Sequence, residues 1–166
     1  MSLPGMRVGL GHDIHRLVPG KTLVLGGVDV PASAGFDTHS DGDVLSHALV
    51  DAMAGAIADG DLGTHFPEDD PKAKDARSLD FVAQFSRTLT SHGYRIVSID
   101  SFIVLGTTRL RPHLATMARN ISDAIGISLD LVSVKARSND GLGPEGEGRA
   151  ASATAIVLVQ RCGPTA

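Results

Sequence analysis

The sequence predicts an α+β fold, one domain in which helices cover one face of a mostly four-stranded sheet. Three observations carry this expectation. The chain has 166 residues, 42% of them hydrophobic and 20% charged, which suits a single well-buried core. Its apolar residues switch between strand-like and helical spacing in the order two strands, two helices, strand, helix, two strands. No composition break marks a linker, and no internal repeat is visible.

Taken in order, Arg7–Arg16 mixes apolar and polar residues in an extended pattern. Thr22–Val30 continues it through Gly26-Gly27, a pair suited to a hairpin turn. Pro31–Asp41 is turn-rich. Over Asp43–Ala58, Val44, Leu45, Ala48, Leu49, Ala52, Met53, Ala56 and Ile57 recur every three or four residues, which predicts an amphipathic helix capped by Asp41 or Asp43. Asp59–Ala76 reads as a long Asp/Gly/Pro loop. A second helix starts at Ser78 and ends near Gly93, followed by a strand over Tyr94–Leu105. Arg111–Ile125 is a third helix closed by Gly126, and Leu131–Ala136 a further strand. After a second Gly-rich loop, Asn139–Gly148, the last strand is Ala150–Val159.

The net charge of −4 lacks the basic excess of a nucleic-acid binder. The acids are unevenly placed: from Thr22 to Pro71 there are ten and not one Lys or Arg, and His39, His47 and His65 lie in the same stretch. A solvated face and a cation site are both open readings of such a run. Cys162 is the single cysteine, so neither an internal disulfide nor a Cys-based zinc site is expected, and a reducing cytoplasmic setting fits. No run approaches the roughly 18 apolar residues of a membrane span, and the start has no signal-peptide pattern. Met1–Gly5, ahead of Met6, reads as a cloning remnant before a domain over residues 6–160, with no room for a second enzyme domain.

The chemistry concentrates in a few places. Asp13 and His15, two apart on a strand, project from one face. His47, in the first turn of the first helix, supplies a third ligand from another element. Two His and one carboxylate make a zinc set with one tetrahedral position open. Asp51, one turn beyond, is placed to hold the other nitrogen of His47. The competing reading is that Asp13 bonds local backbone and the histidines are unrelated.

The surrounding motifs decide between them. They run Gly9-Leu10-Gly11-His12-Asp13-Ile14-His15, Leu25-Gly26-Gly27-Val28, then His39-Ser40-Asp41-Gly42-Asp43-Val44 with His47-Ala48-Leu49 and Asp51-Ala52. Gly60-Asp61-Leu62-Gly63, Phe66-Pro67 and Val134-Lys135-Ala136 follow. In order and spacing these resemble the 2-C-methyl-D-erythritol 2,4-cyclodiphosphate synthase family, over about Met6 to Val159.

That resemblance implies a lyase of the non-mevalonate isoprenoid pathway. It would convert 4-diphosphocytidyl-2-C-methyl-D-erythritol 2-phosphate to the cyclic diphosphate plus CMP, with Zn²⁺ on Asp13, His15 and His47. A second cation, Mg²⁺ or Mn²⁺, would sit on Asp140. His39 and Ser40 match residues touching the erythritol and its 2-phosphate, Asp61 and Gly63 those holding the hydroxyls, and Glu68 a loop residue over that pocket. Thr107, Thr108, Arg109 and Leu110 match a cytidine loop, with Arg109 at a Lys position. Ala136 and Ser138 complete the substrate contacts, and His39 and Ser138 fall in the catalytic positions. The family assembles as homotrimers with sites between subunits, so self-association is implied and neither nucleic acid nor membrane is a partner.

Two departures stand out. Ser138-Asn139-Asp140 replaces a Thr-rich turn ending in Glu, and Gly143-Pro144-Glu145-Gly146-Glu147-Gly148-Arg149 is shorter or rearranged where relatives place an Arg toward a central cavity that takes prenyl diphosphates. The alternatives are a zinc-dependent phosphohydrolase and a non-catalytic trimeric nucleotide-binding protein.

Overall fold

The computed structural model describes residues 5–38, 40–67 and 76–163. A long first strand, β1 (Met6–Pro19), is followed by β2 (Leu23–Leu25), β3 (Val28–Val30), β4 (Ala34–Phe36) and helix α1 (Val44–Ile57). Next come the one-turn α2 (Leu62–His65), α3 (Ser78–Ser91), β5 (Tyr94–Val104), α4 (Leu114–Ile125), β6 (Val132–Arg137), the short α5 (Gly143–Gly146) and β7 (Ala150–Arg161). The α+β class expected from the sequence is observed.

The sheet order is β4-β1-β7-β5-β6. Only β5 and β6 run parallel, joined through α4, as a parallel pair requires a crossover. The four long strands are those read from the sequence. The fifth, β4, lies inside the turn-rich stretch and pairs with the far end of β1 over three residues, too few for an alternation signal.

The segment Thr22–Val30 is not one strand but a separate hairpin, β2 with β3. Gly26 and Gly27 both have positive φ, the requirement of the tight turn that suits strand twist. A Cβ at Gly26 would lie 2.7 Å from Met117 Cβ, so this turn sits directly on α4. Within the expected loop 59–76, α2 supplies one helical turn.

Helices α1, α3 and α4 lie on one sheet face. The central helix α1 is buried nearly all round, with only Gly55 exposed and Asp51 half-buried. The expected amphipathic stripe is absent because β1 and β7 cover one side and α3 the other. The approach to β1 is backbone to backbone: a Cβ on Gly9 would stand 1.8 Å from the Ala52 carbonyl oxygen, and one on Gly11 2.0 Å from that of Ala48. Ala151, Ala153 and Ala155 of β7 are fully buried beside this seam. The opposite sheet face exposes Val8, Leu10, Ile14 and Ile156, with Leu10 65% accessible and in register with Ile156.

Candidate metal centre and substrate cleft

Asp43 sets the start of α1. Its fully buried carboxylate accepts from Leu45 N (3.1 Å), Ser46 N (3.2 Å) and Ser46 Oγ (2.7 Å), and also from Gly27 N (2.9 Å) in the hairpin turn. Of the two candidate caps, Asp43 is the one used. Burial pushes its carboxyl above the usual range, against the hydrogen bonds from Ser46 and the Gly26–Gly27 backbone. Four bonds thus fix the direction in which the first turn presents His47.

On β1, Asp13 and His15 face α1 together. Asp13 Oδ2 stands 2.9 Å from His47 Nδ1 and 3.5 Å from His15 Nδ1. One ligand atom from each of the three lies within 4.8 Å of the others, the sole such His/Cys/Asp/Glu group among the described residues. A tetrahedral ion with bonds of about 2.0–2.2 Å separates its ligands by roughly 3.3 Å, so two nitrogens and one carboxylate oxygen at these spacings fit such an ion.

The charges agree with that use. Burial would raise the Asp13 carboxyl, but the hydrogen bond to His47 and the charges of His15 and His47 together hold it below the usual range. Burial likewise opposes protonation of His47, yet Asp13 outweighs it and raises the imidazole above its ordinary value. The His15 and His47 rings meet edge to face at 5.3 Å, and His15 Nδ1 also lies 3.2 Å from the Gly42 carbonyl.

The expected role of Asp51 is corrected. The other nitrogen of His47, Nε2, faces Ser78 Oγ at 2.9 Å, and Asp51 instead accepts from Leu62 N at 2.7 Å. One turn along α1 points Asp51 at the start of α2 rather than along the imidazole. No sequence signal marked Ser78, which lies 31 residues from His47 and meets it only through the packing of α3 on α1.

Asp61 caps α2, accepting from Thr64 N (2.8 Å) and Thr64 Oγ (2.7 Å), which hold its exposed carboxyl below the usual range. Gly63 is in the turn it caps, exposed and beside it. Ser40 Oγ accepts from Gly42 N at 3.2 Å. His39 and Glu68 lie outside the described residues.

The expected cytidine loop follows β5. Thr107 and Arg109 are exposed, Thr108 is half-buried, and Leu110 is buried in the core, so only its backbone is available to a ligand. Ala136 is half-buried and Ser138 exposed at the end of β6. Asp140 is exposed with positive φ, its amide capped by Ser138 Oγ at 3.4 Å, and it is not part of the three-residue cluster. Strand register puts Ile14, Ser152 and Val104 level across the sheet. The cluster and the loop after β5 therefore share one sheet end, with β1 and β5 two strand spacings, about 10 Å, apart. Beside His15 a cleft of about 370 Å³ is lined by Arg16, Pro144 and Arg149 among others. Arg16 lies in none of the motifs, and Arg149 ends the rearranged stretch that begins at Gly143.

A five-stranded mixed sheet with a His₂–carboxylate cluster held between its first strand and first helix defines a class of α+β domain with a candidate metal centre. The chain belongs to the YgbB family, whose model matches residues 6–160. It is 43% identical to a 2-C-methyl-D-erythritol 2,4-cyclodiphosphate synthase of Gloeobacter violaceus, over 93% of this chain and 95% of that one. The bifunctional IspDF of Campylobacter jejuni superposes with a TM-score of 0.90 at 29% identity, covering 94% of this chain and 42% of that longer protein. A CDP complex of IspF from Plasmodium falciparum superposes with a TM-score of 0.84 at 30% identity, covering 98% and 100%. The resemblance read from the motifs is upheld.

Proposed function

We propose that residues 6–160 form a 2-C-methyl-D-erythritol 2,4-cyclodiphosphate synthase acting on 4-diphosphocytidyl-2-C-methyl-D-erythritol 2-phosphate. The observation that carries this is the convergence of Asp13, His15 and His47 in a chain of this family. An oxygen of the 2-phosphate forms a bond to the β-phosphorus. The bond from that phosphorus to the oxygen bridging to the α-phosphate breaks, and CMP departs with that oxygen and its electron pair. The nucleophile is already ionised near neutral pH, so positioning and charge neutralisation matter more than a strong base.

Asp13, His15 and His47 hold Zn²⁺, which supplies Lewis-acid polarisation of a phosphate oxygen. Asp140 offers a hard oxygen ligand for Mg²⁺ or Mn²⁺. Its positive φ, and its place at the same sheet end as the cluster, support the assignment. Asp61 and Gly63, at the start of α2, face the polyol hydroxyls with Ser40, and His39 and Glu68 belong to the same group. Ser138 and His39 steady the reacting phosphates. Backbone groups of Thr107, Thr108 and Leu110 read the cytosine edge, and Arg109 neutralises diphosphate charge. The CDP complex of the Plasmodium relative supports a cytidine diphosphate ligand.

The chain acts as a homotrimer with sites between subunits, which the apolar strip Val8, Leu10, Ile14 and Ile156 on the uncovered sheet face supports. No helix of the described residues is long and apolar enough to cross a membrane. The exposed free thiol of Cys162 suits a cytoplasmic setting.

Phosphorus NMR of the purified protein with the diphosphocytidyl substrate, Zn²⁺ and Mg²⁺ tests the reading. Cyclic diphosphate plus CMP is the expected outcome. Linear diphosphate or free phosphate would replace it with a hydrolase, and absence of turnover with a binding protein.

A further inference from the structure

Behind His47, on the side away from Asp13, lies a second carboxylate–hydroxyl pair. Ser78 is the first residue of α3 and fully buried, and its Oγ stands 2.9 Å from His47 Nε2. Asp41, in the loop before α1, takes both donors of Ser78: the backbone N–H on Oδ2 at 3.0 Å and the hydroxyl on Oδ1 in a short hydrogen bond. The Asp41 N–H in turn donates to the Ala76 carbonyl at 3.4 Å, fastening the loop to the start of α3.

This arrangement constrains one proton. A serine hydroxyl has a single hydrogen, and Asp41 receives it. Toward His47 the oxygen offers only lone pairs, so Nε2 must be the donor. We infer that Asp41 and Ser78 are positioning residues for the metal centre: they keep the proton on His47 Nε2, lock the ring orientation, and leave Nδ1 as the nitrogen presented to the ion beside Asp13 and His15. A partner of this kind fixes the tautomer of a ligating histidine, and its removal costs about 10–100-fold in metal affinity in other sites.

This inference rests on the zinc reading of the cluster. Its test is a zinc competition titration of the intact chain against a chromogenic chelator, with nitrogen-15 imidazole spectra of the zinc-loaded protein. In the unaltered protein the spectra should show His47 bound through Nδ1 with a retained, slowly exchanging Nε2–H. Ser78→Ala, which keeps the backbone bond to Asp41, should weaken zinc about 10–100-fold. Asp41→Asn, which keeps an acceptor of the same shape, should weaken it less. Coordination through Nε2, or undiminished affinity in Ser78→Ala, overturns the inference while leaving the zinc reading intact. Failure of the unaltered protein to bind zinc overturns both. Should Ser78→Ala not fold, the spectrum of the unaltered protein decides alone.

Discussion

The seam between β1 and α1 gives a sharp test of how the ligands are held. Gly11 lies midway along β1, and a methyl group added there would stand 2.0 Å from the Ala48 carbonyl oxygen, 2.7 Å from the Ala52 nitrogen and 2.8 Å from Asp51 Cβ. Two of these are backbone atoms of a helix wedged under α3, so no side chain can turn aside. Ordinary contact begins near 3.4 Å, so α1 must retreat from β1 by about 1.4 Å. The clashing carbonyl belongs to the residue after His47, while Asp13 and His15 stay with β1. The retreat therefore opens the cluster directly, by several times the ~0.2 Å tolerance of metal–ligand bonds.

For Gly11→Ala we expect zinc affinity to fall about 100-fold, close to 3 kcal/mol, and overpacking to cost about 1–3 kcal/mol of stability. Gly55→Ala is the matched control. It lies on α1, across the same seam, but has only the Leu10 carbonyl oxygen nearby, at 4.0 Å, and should gain up to about 1 kcal/mol. The assays are chelator competition for zinc and thermal unfolding of the metal-free protein. A folded Gly11→Ala protein with undiminished zinc affinity would refute the claim that backbone contact sets the cluster.

Three further outcomes are expected. Asp43→Ala removes an N-cap and leaves Gly27 N–H and the Ser46 hydroxyl unpaired in the interior, which should cost about 3 kcal/mol and lower Tm by roughly 6–12 °C; a loss near zero by thermal unfolding would contradict the bonding described. In the metal-free protein His47 should titrate above its ordinary 6.5 by proton NMR, and Asp13→Asn should bring the midpoint down. Because the folded-state value is raised, the stabilisation from this group is complete below 6.5 and disappears as pH rises through the raised value. Asp13, lowered from 3.8, contributes above 3.8 and loses its contribution as pH falls through its lowered value. Leu10→Asp, at a position 65% exposed in the single chain, should leave each chain folded yet shift sedimentation from trimer to monomer; an unchanged trimer would show that the strip is not the interface.

What was legible in the sequence follows from range. The spacing of Val44 to Ile57 and the alternation along β1, β5 and β7 are local signals, and they located that helix and those three strands. Gly26-Gly27 announced its turn because positive φ restricts residue choice there. Three residues of β4 and four of α2 are too short to show a period. The Asp13–His47 pairing was readable because motif residues flank both partners. The Asp41–Ser78 and Asp51–Leu62 bonds were not, since no spacing rule ties the two ends of either pair and only packing brings them together. Reading α1 as amphipathic fails for the same reason: its polar residues Ser46, His47 and Asp51 spend their hydrogen bonds on Asp43, on Asp13 and Ser78, and on Leu62 rather than on water.

All three residues of the cluster lie among the first 47 of the chain, but β1 is held along most of its length by β7, from Arg16 opposite Ala150 to Met6 opposite Gln160. During synthesis the ligands are therefore made well before the strand that fixes two of them in register. A nascent or truncated chain carries every ligand and lacks the frame that spaces them. An ion held by these three ligands would then mark molecules in which β7 has already paired with β1.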